Sequence, residues 1–134
     1  MTQKLHNRAV TVDGITFPSI REANRYRELS ILQRGGKISD LTLQEKYVLI
    51  PAQYQIVETG EIYRTGLKRG QKKIKRICIE KECAYYADFS YIENGEKVVE
   101  DAKGFRDSSS AAYAKYIIKR KLMLYIHNIR IREV

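Results

Sequence analysis

The feature that most constrains the fold is the dipeptide Asn94-Gly95, which lies between two runs rich in aromatic and β-branched residues. Asn-Gly is the strongest short-range signal for a two-residue hairpin turn, because a type I′ turn needs positive φ at both central positions. In such a hairpin Glu93 lies opposite Glu96, and this fixes the register of both strands.

The same register places Asp88 opposite Asp101, and Tyr86 opposite Lys103. Opposed side chains share a face with their Cβ atoms about 5 Å apart, so two carboxylates and an ammonium group converge. Opposed like charges destabilise a hairpin, and a bridging divalent cation would neutralise them, since Mg²⁺ takes one or two carboxylates plus waters and phosphate oxygens. The alternative is a solvated hairpin end in which Lys103 is a counter-ion.

The composition predicts one domain with a basic surface. The 134 residues (1–134) are enough for a single core, and residues 1–9 are polar and basic, as in a flexible arm. A formal charge of +9 favours a polyanionic partner such as nucleic acid. The spacing of Cys78 and Cys83 fits neither a disulfide framework nor a zinc site, and no apolar run has membrane-spanning length. We therefore expect reduced thiols, no membrane, and a cytoplasmic location.

The N-terminal part predicts a small hairpin around Asp13-Gly14, followed by a helix from Ser19 to Arg34. Glu22 stands three residues after Ser19, which is the spacing of a capping box. It also shares a helical face with apolar residues, so its carboxylate is alternatively an inward-pointing acid of a site. Both interpretations stay open from the residues alone.

The middle of the chain predicts extended segments at Ile38–Gln44 and Tyr47–Ile50, which end at Pro51. Gln44 is either a neighbour of the site or a polar residue on a half-exposed strand. A basic loop is predicted over residues 60–73, before a strand at Ile74–Ile79. Its cations suit contacts with phosphates rather than bases. The cationic residues of this region are Arg64, Lys68, Arg69, Lys72, Lys73, Lys75 and Arg76.

The C-terminal part predicts a second helix, capped by Asp107 or a nearby serine and ending near His127. Helical spacing places Lys115 and Lys119 on one face. A buried face is predicted from Tyr113, Tyr116, Ile117 and Leu124, and a last strand from Ile129 to Val134, with Ile129 and Ile131 inward. With only two histidines and no nucleophile motif, triad chemistry is not expected.

The order helix, strands, Asp and then Asp-x-Lys on a hairpin, helix, strand resembles the PD-(D/E)xK nuclease superfamily. More closely, the chain resembles a phage-encoded, largely uncharacterised family of that superfamily related to Holliday-junction-resolvase-like nucleases. This resemblance spans nearly the whole chain. It is carried by Gly14–Ser19 with Glu22-Ala23, Ile38–Leu41 with Leu43-Gln44, Ala87–Phe89, Val99–Gly104 and Lys119–Lys121.

The resemblance implies a mixed α/β (α+β) fold with a restriction-endonuclease-like core, in which a central mixed β-sheet is flanked by an N-terminal and a C-terminal helix (αβββαβ). It implies that Asp88, Asp101 and Glu22 are metal ligands and that Lys103 orients or activates water. Ala87 stands where the motif often has proline. Glu100 is a rival for the second acid, but the hairpin register favours Asp101.

The expected function is Mg²⁺-dependent DNA endonuclease activity, with Mn²⁺ as a substitute metal. Branched DNA in phage recombination or replication would be the substrate, in the host cytoplasm. Lys115, Lys119, Arg69, Lys72, Lys73 and Gln44 would contact the DNA. Alternatives are a restriction-type or repair nuclease, a non-catalytic nucleic-acid-binding protein on the same fold, and a structural protein. Cleavage of two strands at symmetric positions would require a homodimer.

Overall fold

The computed structural model of the protein describes residues 8–102 and 110–134. In those two ranges, no helix is long and apolar enough to cross a membrane. In chain order the elements are β1 (Val10–Val12), β2 (Ile15–Phe17), α1 (Ile20–Arg34), β3 (Ser39–Ile50), β4 (Gln53–Ile62), β5 (Lys72–Glu80), β6 (Cys83–Glu93), β7 (Glu96–Asp101), α2 (Ala111–His127) and β8 (Arg132–Glu133).

The N-terminal elements form as the local sequence predicts. Strands β1 and β2 pair antiparallel across the Asp13-Gly14 turn. The Ser19 hydroxyl caps α1 by accepting a hydrogen bond from the Glu22 backbone N–H at 3.1 Å. The helix ends at Arg34, where the Gly35 backbone N–H caps its last turn. The predicted hairpin and first helix are therefore confirmed.

The central sheet has four strands in the order β3-β6-β7-β8. Strands β6 and β7 run antiparallel, whereas β7 and β8 run parallel, so the sheet is mixed. Together with α1 and α2, and with β4 and β5 set aside, these strands give the αβββαβ order. The prediction of a mixed α+β fold with a central mixed sheet and two helices is confirmed.

The β6–β7 hairpin has the predicted turn and register. Asn94 and Gly95 have φ angles of 52° and 77°, the positive values that a type I′ turn requires. Glu93 lies opposite Glu96, and the pairing continues without a shift to Phe89 opposite Glu100. The pairing ends there, one residue short of Asp88 and Asp101.

One core cluster links α1 and the β1–β2 hairpin to the central hairpin. Phe17 packs against Phe89 with ring centroids 6.4 Å apart, and Leu29 of α1 is fully buried. Full burial of a side chain of this size contributes about 1.5–3 kcal/mol, so this layer anchors α1. The buried members of the cluster are Phe17, Ala23, Leu29, Ile38, Phe89, Tyr91 and Ala102.

Helix α2 begins after Ser110, whose side chain accepts a hydrogen bond from the Tyr113 backbone N–H. A cap by one of the serines was one of the predicted options. The predicted buried face is wrong in one position, because Leu124 is 50% exposed and the neighbouring Met123 is fully buried. One residue turns a helix by about 100°, so a small error in phase moves a side chain out of the core.

A polar cluster fastens the first three strands of the central sheet to one another. The Glu45 carboxylate on β3 accepts hydrogen bonds from Ser90 on β6 and from Tyr47, and it forms an ion pair with Lys97 on β7 at 2.8 Å. Burial alone would raise the pKa of Glu45, but the hydrogen bonds from Lys97, Ser90 and Tyr47 lower it below its usual value. These contacts stabilise the charge of Glu45, whose side chain is partly exposed.

The chain divides into two compact units. The first is built from both ends of the chain, up to Tyr47 and from Tyr85 onward, and the second is Val48–Ala84. The second unit contains the antiparallel hairpin of β4 and β5.

Several boundaries differ from the sequence-based expectation. The two predicted segments before Pro51 are one continuous strand, β3. Strand β4 was not predicted, and the loop that follows it covers residues 63–71 rather than 60–73. The last strand contains only Arg132 and Glu133, although Ile131 is buried as expected.

Candidate active site

The two acids at the end of β7 have different surroundings. Glu100 has no solvent exposure, and both of its oxygens accept hydrogen bonds from the Arg25 guanidinium of α1, at 2.8 Å and 2.6 Å. The Tyr91 hydroxyl also donates to Glu100. The hydrogen bonds to Glu100 raise the pKa of the Arg25 guanidinium above its usual value, although partial burial acts in the opposite direction. Arg25 and Glu100 therefore form a structural ion pair.

Asp101 is also buried, with 2% exposure, but its contacts differ. The Tyr85 hydroxyl donates to Asp101 Oδ2 at 2.5 Å. Burial raises the pKa of Tyr85 well above its usual value, and the hydrogen bond to Asp101 and the charges of Asp101 and Asp88 raise it further. The phenol thus keeps its proton as a donor, and both aspartates lie close enough to act on it.

The side to which Asp101 points follows from the parallel pairing with β8. Asp101 is the register partner of Glu133, and Glu100 is the partner of Arg132. Glu133 accepts hydrogen bonds from Tyr116 and Arg120 of α2, whereas Glu100 binds α1. Because successive residues of a strand point to opposite faces, Glu100 belongs to the α1 side and Asp101 to the α2 side.

Asp88 is half-buried, and its carboxylate accepts hydrogen bonds from Ala102 and Gln44. Its Oδ2 accepts from the backbone N–H of Ala102 at 2.9 Å, which ties it to the residue directly after Asp101. Its Oδ1 lies 3.4 Å from Gln44 Nε2. Gln44 has a φ of 53°, an uncommon value for a residue within a strand, and such strain often marks a functional position.

An open cleft of about 370 Å³ lies beside Asp88. Glu22, at the start of α1, and Gln44 contribute to its wall together with the β2 segment. Glu22 thus provides the backbone half of the predicted capping box, and it also lines the cleft that contains Asp88. The lining residues are Ile15, Thr16, Phe17, Pro18, Glu22, Leu43, Gln44, Asp88 and Phe89.

The other predicted site residues lie elsewhere. Lys103 is outside the described residues. Lys115 and Lys119 lie on α2, the first exposed and the second half-buried, and they are not part of the cleft wall. Arg69 is exposed in the loop after β4. Lys72 and Lys73 on β5 form exposed ion pairs with Glu58 at 3.4 Å and Glu61 at 3.7 Å, which are weak at a surface.

The side chains near the acids match hard cations better than soft ones. Carboxylate and amide oxygens are the ligands that Mg²⁺ prefers, and Mg²⁺ uses one or two carboxylates with waters filling the remaining positions. Across residues 8–102 and 110–134, no group of three or more His, Cys, Asp or Glu side chains could hold a metal ion. Within the described ranges, a metal ion would therefore have at most two of these side chains as ligands.

Sequence reasoning missed Tyr85 and the backbone N–H of Ala102. Strict alternation counted back from Asp88 places Tyr85 on the opposite face of β6, so the pattern did not indicate its contact with Asp101. The Ala102 contact involves a main-chain donor, which has no side-chain signature. Arg25 was likewise missed, because its partner Glu100 lies 75 positions away.

The chain matches the family model described as "Protein of unknown function (DUF1064)" over residues 2–132. Comparison with curated proteins and comparison with solved structures each yield no significant match.

Proposed function

Since the chain belongs to the DUF1064 family of proteins of unknown function, we propose its function from the site itself: a Mg²⁺-dependent endonuclease that hydrolyses phosphodiester bonds in DNA. The proposal includes a restriction-endonuclease-like active site and a branched DNA substrate, as expected for phage recombination or replication. One observation carries it: Asp88 accepts a hydrogen bond from the backbone N–H of Ala102, the residue directly after Asp101, and both aspartates lie close enough to Tyr85 to raise its pKa. Two buried or half-buried carboxylates in that arrangement favour a bound cation.

Asp88 and Asp101 would hold the Mg²⁺ ion. When bound, the ion would lower the pKa of a water and neutralise charge that develops on the phosphate. The Ala102 N–H and the Tyr85 hydroxyl restrain one oxygen of each aspartate, which fixes the directions of the others. Such outer contacts orient metal ligands and are part of the site.

Glu22 and Gln44 would act beside Asp88 in the cleft. The Glu22 carboxylate would bind and orient a water there, as an outer ligand or an added acid. Gln44, as donor to Asp88 Oδ1, would keep that carboxylate turned toward the cleft. Lys103 follows Asp101 by two positions in the sequence, and we assign it the role of orienting the attacking water or neutralising the phosphate.

The DNA backbone would be held by cations outside the cleft. Arg69, Lys72 and Lys73 belong to the hairpin unit, while Lys115 and Lys119 belong to α2. All five can contact phosphates without reading bases, which gives affinity that depends on salt and not on sequence.

The proposal is tested with a cleavage panel that compares four-way junctions, flaps, duplex and single strands in Mg²⁺, Mn²⁺ and EDTA. We expect products only with metal, and none from the Asp88→Asn or Asp101→Asn proteins. Asp40→Asn is the matched control, because Asp40 is an exposed acid on β3 outside the cleft wall. Unchanged cleavage by either site variant would refute the assignment.

A second candidate is a nucleic-acid-binding protein without catalysis. The formal charge of +9 favours it. It predicts salt-dependent binding of all the panel substrates and no metal-dependent product. The same panel therefore separates the two candidates.

A further inference from the structure

The β4–β5 hairpin ends in a loop with a defined shape. The Tyr63 N–H donates to the Gln71 carbonyl at 2.9 Å, and the Gly70 N–H donates to the Tyr63 carbonyl at 2.8 Å. An inner turn is closed by the Arg69 N–H and the Gly66 carbonyl at 3.2 Å. Gly66 and Gly70 have φ values of 83° and 85°, which residues with a side chain rarely adopt. We refer to residues 63–71 as the hairpin tip.

Leu67 lies at the first central position of the inner turn and is fully exposed. A single exposed leucine needs no explanation by itself. Here, however, hydrogen bonds fix the backbone on both sides, so the side chain is presented outward by an ordered turn.

Cations surround this leucine. Lys68 and Arg69 follow it directly, and Arg64 lies three positions before it, all of them exposed. Lys68 Nζ lies 5.7 Å from the centroid of the Tyr63 ring, and Lys73 Nζ lies 5.6 Å from the same ring. Tyr63 thus holds two ammonium groups near the tip through cation–π contacts. The tip therefore combines one exposed apolar side chain with several nearby cations.

We propose that Leu67 is an apolar wedge that contacts an unstacked base at a branch point or end of DNA, while the tip cations bind the flanking phosphates. Architectural DNA-binding proteins use leucine and similar side chains in this way, because insertion of an apolar group offsets part of the cost of unstacking. This inference rests on the proposed function and specifies its substrate as DNA with an opened base step.

The charge and the size of the apolar group favour DNA over a membrane surface. Binding at a lipid interface grows with the apolar area that enters the bilayer, and the tip presents a single leucine at its apex. One side chain matches the size of one base step, and the adjacent cations match the phosphates on either side.

The test measures binding in Ca²⁺ without Mg²⁺, using four-way junctions and blunt duplexes of equal length. 2-Aminopurine is placed at the branch nucleotide, because its fluorescence rises when it is unstacked. We expect the protein to prefer the junction and to raise the fluorescence. Leu67→Ser should lower that preference about tenfold and abolish the fluorescence rise, with unchanged duplex affinity and salt dependence.

Two variants serve as controls. Ile56→Ser removes another exposed aliphatic side chain of the same hairpin, away from the tip, and should leave the preference unchanged. Arg69→Ala should weaken junction and duplex binding alike and reduce the slope of affinity against salt by about one. Leu67→Met, which keeps an apolar side chain, should retain most of the preference.

The outcomes separate this inference from the proposed function. If Leu67→Ser keeps the junction preference and the fluorescence rise, the wedge is refuted, even where Asp101→Asn still abolishes cleavage. If no substrate is cleaved but Leu67→Ser still loses the preference, the wedge stands and the nuclease proposal fails. Leucine-dependent sedimentation with anionic vesicles, without junction preference, would assign the tip to a membrane and overturn the inference.

Discussion

Glu100 and Asp101 are neighbours in β7 and both are buried, but their side chains bind different partners on opposite sides of the sheet. Glu100, on the α1 side, is neutralised by a bidentate guanidinium and a phenol. Asp101, on the α2 side, accepts from the Tyr85 hydroxyl, and a second acid, Asp88, is hydrogen-bonded to the backbone of the next residue, Ala102. The difference teaches that burial of an acid does not identify its role. The partner does, because a guanidinium cancels a carboxylate's charge whereas a phenol only orients it.

The largest expected effect concerns the structural acid. Arg25→Met leaves Glu100 buried without its guanidinium, and removing one partner of a buried ion pair costs about 3 kcal/mol or more. Urea unfolding measures this loss. The double variant Arg25→Met, Glu100→Leu should recover most of the stability, since an apolar pair needs no compensation. A single variant as stable as the parent would remove the contrast between the two acids.

The second prediction concerns the proposed metal ligand. Asp101→Asn should lower cleavage at least about 100-fold, because losing a ligand exceeds the 10–100-fold cost of losing an outer contact. Its stability should change little, since the amide oxygen can still accept from Tyr85. The matched variant Glu100→Gln should reverse this pattern, with lower stability and unchanged cleavage per folded molecule. Equal effects of the two variants on cleavage would contradict the division of roles.

A third prediction addresses the phenol that holds Asp101. Tyr85→Phe removes the hydrogen bond and should weaken metal binding by about tenfold, the range for outer-shell partners. A Mn²⁺ titration of cleavage measures this, and it should show a higher half-saturating concentration with a nearly unchanged maximal rate. A fall in maximal rate without a change in metal dependence would show that Tyr85 does not position a ligand.

The smallest effect is a pH dependence. Burial, then the hydrogen bond to Glu100, raises the pKa of Tyr91 to about 12. The unfolded chain titrates near pH 10, so the folded state holds this proton more tightly, and the stabilisation is complete below about pH 10 and declines above it. Between pH 9 and 11, the unfolding free energy of Tyr91→Phe should fall less steeply than that of the parent, by about 1 kcal/mol or less. Parallel curves would contradict the assigned shift.

The predictable parts of the fold were those that neighbouring residues determine. Asn94-Gly95 fixed a turn, and with it the register of the hairpin as far as Phe89 opposite Glu100. Ser19 and the glycine pair after Arg34 fixed both ends of α1. Each of these signals acts within a few residues, and the physical cause is a φ requirement or a cap.

The parts that were missed depend on contacts that no local pattern contains. Strand β4 pairs with β5 but is mostly exposed, so no alternation of buried and exposed positions distinguished it. Arg25 reaches Glu100 and Tyr85 reaches Asp101 only after the sheet has formed. The strained backbone of Gln44 also has no residue-type signature, since glutamine is uncommon at positive φ.

In the sequence the β4–β5 hairpin lies between β3 and β6, two strands that are adjacent in the central sheet. Such an arrangement is an insertion between neighbours, and its length or tip can be altered without changing a residue of the central hairpin. We expect related chains to diverge most in this segment, because changes there leave the central sheet intact. If the tip binds DNA as proposed, exchanging it between two such relatives should transfer binding preference without altering the residues around Asp88 and Asp101.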